Sequence, residues 1–176
     1  MFDKTKPYQN NQLLAKAKDV KLLLCDVDGV LTDGKINIDE NGESFKSFNV
    51  KDGFGIKALQ QEGIAIGIIT GRESKIVERR CEELGIEHLY QGQKNKVPCY
   101  TQLLEQLDIT AAQVAYIGDD VPDIPLIKLS SLGATVADAH SSVLEHANFI
   151  CEKAGGAGAV RELCDYILYA RSDAHE

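Results

Sequence analysis

Short apolar runs alternate with amphipathic segments along most of the chain. Residues 20–25 (VKLLLC) and 64–69 (IAIGII) are almost continuously apolar, a pattern typical of strands buried on both faces. Shorter runs predict further strands at residues 88–90, 114–117, 134–137 and 149–151. The intervening segments predict helices at residues 53–62, 74–84, 96–107, 122–129, 141–147 and 159–170. This alternation predicts right-handed βαβ units, and therefore an α/β fold with a doubly wound, Rossmann-like parallel sheet.

One stretch interrupts the alternation. An apolar–polar pattern of period two is followed by Asn41-Gly42, a dipeptide that favours the tight turn of a β-hairpin. We therefore expect a projecting β-hairpin over about residues 34–48. Phe45 and Phe48 lie in this segment, and because a lone hairpin cannot bury them, they require a partner surface.

Length, charge and cysteine content restrict the class of protein. The 176 residues predict a single domain over 1–176, with a short polar tail at 171–176 that is expected to fray. The formal net charge of -8 argues against nucleic-acid binding, which requires clustered basic side chains. The sequence has no apolar run of the ~18 residues that a membrane helix requires, and its polar start lacks a signal-peptide core. The five cysteines form no CxxC pair, which favours reduced thiols in a cytoplasmic protein. Given the charge and the lack of a long apolar run, we expect no nucleic-acid or membrane partner.

Acidic residues follow two of the predicted strands. Asp26 and Asp28 come directly after the first strand, and Asp119, Asp120 and then Asp123 follow a later one. Because ligands of open α/β sheets bind beyond the carboxyl ends of the strands, these carboxylates are expected to share one edge of the sheet. A cation between them would relieve their repulsion, and ligands that are all oxygen favour Mg²⁺.

Candidate phosphate-binding groups occupy similar positions. Thr70-Gly71-Arg72 follows the second long strand, and Lys94 and Lys96 follow the strand at residues 88–90. A hydroxyl, a glycine-freed backbone and a lysine beside a metal ion can hold a phosphoryl group. An aspartate in such a site could attack phosphorus directly, and a second could transfer protons to and from the reacting oxygens.

The motifs together resemble those of the haloacid dehalogenase superfamily of phosphohydrolases. They are DVDGVLTDG (26–34), IITGR (68–72), Lys96 and GDDVPD (118–123). Four further segments resemble the bacterial 3-deoxy-D-manno-octulosonate 8-phosphate phosphatase family, namely NVKDGFGIK (49–57), LYQGQKNK (89–96), VADAH (136–140) and AGGAGAVRE (154–162). The resemblance spans about residues 20–170. It implies a Mg²⁺-dependent phosphomonoesterase that acts through an aspartyl-phosphate, and whose product feeds lipopolysaccharide synthesis.

The resemblance also implies roles for individual residues. Asp26 would be the nucleophile and a Mg²⁺ ligand, and Asp28 would be the general acid and base, with its main-chain carbonyl on the metal. Asp119 would complete the metal site, and Thr70 and Lys96 would hold the phosphoryl group. The other implied residues are carboxylates supporting the metal site, Asp120 and Asp123, and substrate contacts, Asn49, Val50, Lys51, Asp52, Gly53, Lys57, Arg72 and Arg80 together with Asp28 and Lys96.

A substrate with phosphate at one end and carboxylate at the other requires a second cationic site. Arg72 and Arg80 are eight residues apart, about two helical turns, which would place them on a similar face. A bidentate arginine suits a carboxylate. Alternatively, Arg79 and Arg80 are solvated helix residues paired with nearby glutamates.

The gaps between motifs hold no cap domain, only the predicted hairpin and one helix with a short strand. The open site and the two unburied phenylalanines favour cover by another subunit, and the family resemblance implies a homotetramer. The glycines at 155–158 fit either a mobile loop over a neighbouring site or a connector into the last helix.

Three other functions share parts of this pattern. The first is a phosphatase of a nine-carbon sialic-acid-type 9-phosphate, which the motifs barely separate from the eight-carbon enzyme. The second is a non-catalytic assembly module of the same fold, which the intact set of motif residues disfavours. The third is a phosphomutase, which the lack of a cap disfavours.

Overall fold

The computed structural model describes residues 11–172. Six parallel strands form its main sheet in the order β5-β4-β1-β6-β7-β8. Their bounds are β1 Leu22–Cys25, β4 Ala65–Ile69, β5 His88–Tyr90, β6 Val114–Gly118, β7 Leu132–Thr135 and β8 Phe149–Ile150. In this sheet β4 and β5 lie on one side of β1, and the later strands β6, β7 and β8 lie on the other side. The doubly wound α/β class predicted from the sequence is confirmed.

Helices cover both faces of this sheet because its strands are apolar on both faces. They are α1 Asn11–Lys18, α2 Val50–Gln61, α3 Lys75–Leu84, α4 Val97–Leu107, α5 Ile124–Leu129, α6 Ser141–Leu144 and α7 Ala159–Ser172. Leu23 and Cys25 join a core shared with α1, α2, α3 and α7, whereas Leu22 and Leu24 join a core shared with α4, α5 and α6. Successive residues of β1 therefore serve opposite faces, as strand geometry requires.

The hairpin forms where Asn41-Gly42 predicts it. Its strands are β2 Asn37–Asp39 and β3 Gly42–Phe45, paired antiparallel in a separate two-stranded sheet. Phe45 is 56% exposed. Phe48 differs from the expectation, since it packs against the core of the same chain and lies under the Arg80 guanidinium. Phe48 is therefore partly covered within its own chain.

Several boundaries differ from those predicted. Helix α2 begins at Val50 rather than at Gly53, because the Asn49 side chain caps it by accepting a hydrogen bond from the Lys51 N–H. Strand β7 begins two residues earlier than predicted and ends at Thr135. Helix α1 was not predicted, since its 8 residues are evenly divided between polar and apolar types and only Ala17 is buried in it.

The glycine segment before α7 packs against the loop that follows β1. The Gly156 N–H donates to the Val30 carbonyl, and a Cβ on Gly155 would lie 1.9 Å from the Gly29 carbonyl oxygen. This contact favours the connector interpretation of residues 155–158. Of the tail predicted at 171–176, residues 171 and 172 instead belong to the last turn of α7, and residues 173–176 lie outside the described part of the chain. Within residues 11–172, none of the helices is both long enough and apolar enough to span a bilayer.

Candidate active site

Three carboxylates converge at the carboxyl edge of the central strands. Asp26 follows β1 and Asp119 follows β6, and parallel pairing of these strands sets them side by side. Asp123 returns to the same place through a short turn. One oxygen from each carboxylate lies within 4.8 Å of the others. The cluster occupies the point where strand order reverses, which is where open α/β sheets bind ligands.

The turn after Asp26 makes room for this cluster. The Val27 carbonyl accepts hydrogen bonds from the N–H groups of Val30, Leu31 and Thr32, which closes the turn. Gly29 lies within it at a φ of +89°, and a Cβ at that position would stand 2.1 Å from an Asp119 carboxylate oxygen. Glycine suits this position because it readily adopts a positive φ and has no Cβ that would clash with the Asp119 carboxylate.

Lys96 is the buried cation of the cluster. Its Nζ lies 2.9 Å from Asp26 Oδ2 and 2.7 Å from Asp123 Oδ1, and its side chain is 3% exposed. Burial alone would lower the pKa of Lys96, but the charges of Asp26 and Asp123 raise it above its usual value. Lys96 therefore stays charged between the two carboxylates. Lys94, the other lysine of this segment, is exposed.

Asp123 supports the site through four hydrogen bonds. Its Oδ1 accepts from Lys96 and, at 2.5 Å, from the Tyr116 hydroxyl. Its Oδ2 accepts from the backbone N–H groups of Asp119 and Asp120 at 3.0 and 3.2 Å. With both oxygens engaged, Asp123 orients Lys96 and the Asp119 backbone. The carboxylate of Asp120 is exposed and accepts from the Val121 N–H at 2.7 Å.

The electrostatics and donor set of this cluster fit a divalent cation. Burial, and then the neighbouring carboxylates, raise the pKa of Asp26 to about 6 and that of Asp119 to about 7. Asp119 Oδ1 is buried and has no hydrogen-bond partner among the described residues. An unpartnered carboxylate oxygen beside a second carboxylate is a suitable ligand pair for Mg²⁺, which prefers oxygen and usually takes one or two protein carboxylates.

Thr70 lies at the end of β4, beside the same edge. Its N–H donates to the Tyr90 carbonyl and its own carbonyl accepts from Gln93, so the loops after β4 and β5 are tied together. Thr70 is 2% exposed. The first of these loops carries Thr70 and the second leads to Lys96.

Asp28 faces the hairpin rather than the carboxylate cluster. Its Oδ1 lies 2.5 Å from Lys46 Nζ and its Oδ2 lies 3.7 Å from Arg72 Nε. Lys46 also pairs with Glu43 at 2.9 Å, and Glu43 accepts a short hydrogen bond from the Ser74 hydroxyl. These residues link the hairpin and the start of α3 to Asp28.

The predicted substrate contacts on α2 gather elsewhere. Asn49, Asp52, Gly53 and Arg80 line one crevice between α2 and α3. Asn49 donates to the Gly156 carbonyl at 3.1 Å, and Asp52 accepts from the Arg161 N–H at 2.7 Å. In the part of the chain that the structure describes, none of these residues hydrogen-bonds or pairs with Asp26, Asp28, Thr70, Lys96 or Asp119.

Among the described residues, Arg72 and Arg80 have no ion-pair partner in common. Arg80 pairs with Glu83 at 2.8 Å, as the alternative interpretation expects, and is only 18% exposed because it also packs against Phe48. Arg72 precedes α3 rather than lying on it, since α3 begins at Lys75. The helical spacing argument for a shared face therefore does not apply. Of the other predicted contacts, Val50, Lys51 and Lys57 are exposed on α2.

Three residues of the site were missed by sequence reasoning. Tyr116 carries a hydroxyl in an otherwise apolar strand, which was a usable signal. Glu43 and Lys46 are charges spaced three residues apart on either side of Phe45, and nothing in that spacing shows that they turn toward Asp28.

The chain is similar to known proteins in both sequence and structure. The profile of haloacid dehalogenase-like hydrolases matches residues 55–130. The 3-deoxy-D-manno-octulosonate 8-phosphate phosphatase KdsC of Escherichia coli strain K12 is 49% identical over 164 residues, covering 93% of this chain and 87% of the relative. A crystal structure of the phosphatase from Yersinia pestis matches with a TM-score of 0.91 and 46% identity, covering 94% of this chain and 89% of that chain. The phosphatase from Moraxella catarrhalis, solved with a magnesium ion, a phosphate ion and KDO, matches with a TM-score of 0.90 and 43% identity over 94% of this chain and 96% of that chain.

The parallel sheet with an acidic cluster at its carboxyl edge, together with the profile match, defines a haloacid dehalogenase-like hydrolase. Close to half of the residues are identical to the E. coli phosphatase over most of both chains. The chain therefore belongs to the 3-deoxy-D-manno-octulosonate 8-phosphate phosphatase (KdsC) family. The resemblance noted in the sequence is confirmed.

Proposed function

We propose that this chain is a Mg²⁺-dependent phosphomonoesterase that hydrolyses 3-deoxy-D-manno-octulosonate 8-phosphate to the free sugar acid and phosphate. The observation that carries the proposal is the position of Lys96 between Asp26 and Asp123, at 2.9 and 2.7 Å, beside the unpartnered Asp119 oxygen. In this arrangement a candidate nucleophile, Asp26, lies beside a buried cation and beside a site for a metal ion. Family membership supports the eight-carbon substrate, and the KDO complex of the Moraxella catarrhalis relative supports it further.

In the proposed reaction an oxygen of the Asp26 carboxylate attacks phosphorus in line. The bond from phosphorus to the sugar oxygen breaks, and Asp28 gives that oxygen its proton. Asp28 then takes a proton from water, which attacks the aspartyl-phosphate and releases phosphate and free Asp26. Asp26, Asp119 and the Asp28 main-chain carbonyl would hold Mg²⁺, which when bound would offset negative charge on the phosphoryl oxygens. Thr70 and Lys96 would hold those oxygens in place.

The proposed assembly is a homotetramer of single-domain chains spanning residues 1–176. Within residues 11–172, the α2 residues that the family resemblance assigns to substrate form no hydrogen bond or ion pair with the Asp26 cluster, which supports a role in a neighbouring subunit's site. Ile38 on the hairpin and Val50 at the start of α2 are 70% and 80% exposed, and contact between such surfaces would cover both. We further propose a cytoplasmic location and a role in lipopolysaccharide synthesis.

Steady-state phosphate release with Mg²⁺ tests the reaction. The substrates are the eight-carbon phosphate, its nine-carbon sialic-acid-type counterpart and p-nitrophenyl phosphate. We expect kcat/KM for the eight-carbon substrate to exceed that for the others by about 100-fold or more, since two differing ends of the substrate are recognised. Chelation of the metal and the Asp26→Asn variant should each abolish turnover.

Other outcomes of this assay change the proposal in defined ways. Comparable slow rates on all three substrates would retain phosphatase chemistry and reject the eight-carbon assignment. A nine-carbon preference would replace one substrate with the other. An absence of phosphate release from every substrate would reject the enzyme and favour an assembly module.

A further inference from the structure

A lysine of the hairpin is buried at the edge of the active site. Lys46 follows β3, and its side chain is 2% exposed although most of the hairpin is open to solvent. Its Nζ lies 2.5 Å from Asp28 Oδ1 and 2.9 Å from Glu43 Oε1. The ammonium group therefore connects a carboxylate of the hairpin to the carboxylate proposed as general acid and base.

The far end of this connection is anchored on a helix. Glu43 accepts a hydrogen bond from the hydroxyl of Ser74, and Ser74 is the N-cap residue of α3. Arg72 approaches both carboxylates, but at 3.7 and 3.9 Å, and its side chain is 48% exposed. Lys46 thus makes the short, shielded contact to Asp28, and Arg72 lies at the outer side.

Stability alone is a weak explanation for this arrangement. Taking a lysine ammonium group out of water is costly, and a buried ion pair often adds little to the free energy of unfolding compared with apolar residues. A fixed geometry is what such a pair supplies best. General acid catalysis requires that geometry, because the acid must lie within hydrogen-bond reach of the leaving oxygen.

We propose that Lys46 is a positioning residue for Asp28: through Glu43 and Ser74 it holds the Asp28 carboxylate where it can protonate the leaving oxygen and later accept a proton from water. This inference rests on the proposed phosphatase function. It also gives the hairpin two roles: Lys46 supports the active site of its own chain, and the exposed apolar side chains provide the proposed association surface.

The test compares Lys46→Met with two other variants. Lys46→Arg keeps the charge and can restore the contact. Lys35→Met removes a hairpin lysine that is 78% exposed and pairs only with Asp33 among the described side chains, at 2.9 Å, so it is the matched control. Each variant is assayed with the sugar-acid phosphate, whose alkoxide leaving group needs a proton, and with p-nitrophenyl phosphate, whose leaving group needs little protonation.

We expect Lys46→Met to lower kcat on the sugar-acid phosphate by about 10- to 100-fold, as expected for a misplaced general acid. KM and the kcat on p-nitrophenyl phosphate should change by less than about threefold. Lys46→Arg should recover part of the loss, and Lys35→Met should match the wild type on both substrates. In an Asp28→Asn background, Lys46→Met should cause no further loss, since the group it positions is already disabled.

Equal losses on both substrates would show a general structural role and overturn the proposal. So would a loss that adds fully to that of Asp28→Asn, or an unchanged Lys46→Met enzyme. The wild-type assays separate this result from failure of the proposed function. If the wild type hydrolyses another alkyl phosphate but not the sugar-acid phosphate, the substrate assignment fails and the Lys46 comparison is made on that alkyl phosphate. If the wild type hydrolyses nothing, both proposals are rejected.

Discussion

The positive charge of Lys96 offsets the negative charges of the surrounding carboxylates, and few substitutions would keep that charge in place. Its ammonium group contacts Asp26 and Asp123, and its removal would leave these carboxylates and Asp119 crowded in a buried site. Only the proposed metal ion would then offset their mutual repulsion. The same ammonium group lies where charge would develop on a transferring phosphoryl group, so its loss should affect the rate more than the affinity for substrate.

We predict that Lys96→Met lowers kcat by about 100- to 1000-fold, comparable to the loss of a donor that stabilises a transition state. Steady-state phosphate release with Mg²⁺ measures this effect. Lys94→Met is the control because Lys94 lies in the same segment and is exposed, and its activity should match the wild type. A larger loss in Lys94→Met than in Lys96→Met would reverse the assignment of the two lysines.

At the level of residues, the sequence predicted which chemical groups meet but not how they pair. Asp26, Thr70, Lys96 and Asp119 could be assigned to one edge because each follows a predicted strand. Whether a given carboxylate is buried depends on the local turn, in which Asp123 points inward and Asp120 outward. Such differences arise from a few backbone angles, which residue type does not determine.

The ionisation of Asp52 depends on how α2 packs against α7. This residue of α2 is 2% exposed, and its Oδ1 accepts from the Arg161 N–H in the first turn of α7. Burial raises the pKa of Asp52 from its usual 3.8 to about 6, although the Arg161 N–H and the charges of Arg80 and Arg161 oppose the change. Between these two values the folded chain retains a proton that the unfolded chain releases.

The sign of the pH dependence follows from this difference. The contribution of Asp52 to stability is complete below pH 3.8 and is lost as the pH rises through about 6. Asp52→Asn keeps the acceptor for Arg161 but does not ionise. We predict that the free energy of unfolding of Asp52→Asn, relative to wild type, increases by about 2 kcal/mol between about pH 4.5 and 7.5.

Urea denaturation at several pH values measures this change. Asp19→Asn is the control for removal of one negative charge, because Asp19 is exposed, and its difference from wild type should stay within about 0.5 kcal/mol. A difference for Asp52→Asn that does not vary with pH would show that Asp52 ionises as readily in the folded chain as in the unfolded one.

Some helices and strands could be predicted from the apolar pattern of the sequence, whereas others depend on capping or on packing against other elements. The strands at the centre of the sheet were predictable because burial on both faces leaves nearly continuous apolar runs. The start of α2 was predicted three residues late, at Gly53, because Asn49 was not considered as a helix cap. Helix α1 was not predicted because few of its side chains are buried. It is held in the fold by packing against α7, which its own sequence periodicity does not reveal.

For the whole molecule, the sequence predicted the layers of the fold, because alternating strands and helices permit few other arrangements. It did not predict the strand order, which depends on where the short strands β5 and β8 attach. It also indicated that a surface would remain uncovered. One chain partly buries Phe48, but Phe45, Ile38, Val50 and Phe54 stay between 56% and 80% exposed.

These exposed side chains make the proposed tetramer testable. We predict that light scattering of the wild type gives four times the chain mass of 19.3 kDa, because exposed apolar groups on the hairpin and α2 mark an association surface. Ile38→Glu combined with Phe45→Glu should yield smaller species, since a charge at each position opposes burial. Leu129→Glu, at a position 47% exposed on α5, is the control and should remain tetrameric.

The activity of the dissociated variant separates assembly from folding. If α2 residues of a neighbour complete each site, the double variant should lose kcat/KM for the sugar-acid phosphate but retain activity on p-nitrophenyl phosphate, which needs only the Asp26 cluster. Loss of both activities with a normal circular dichroism spectrum would show that assembly supports the cluster itself. A wild-type chain that is monodisperse and monomeric at micromolar concentration, yet fully active, would contradict the tetramer and place all substrate contacts within one chain.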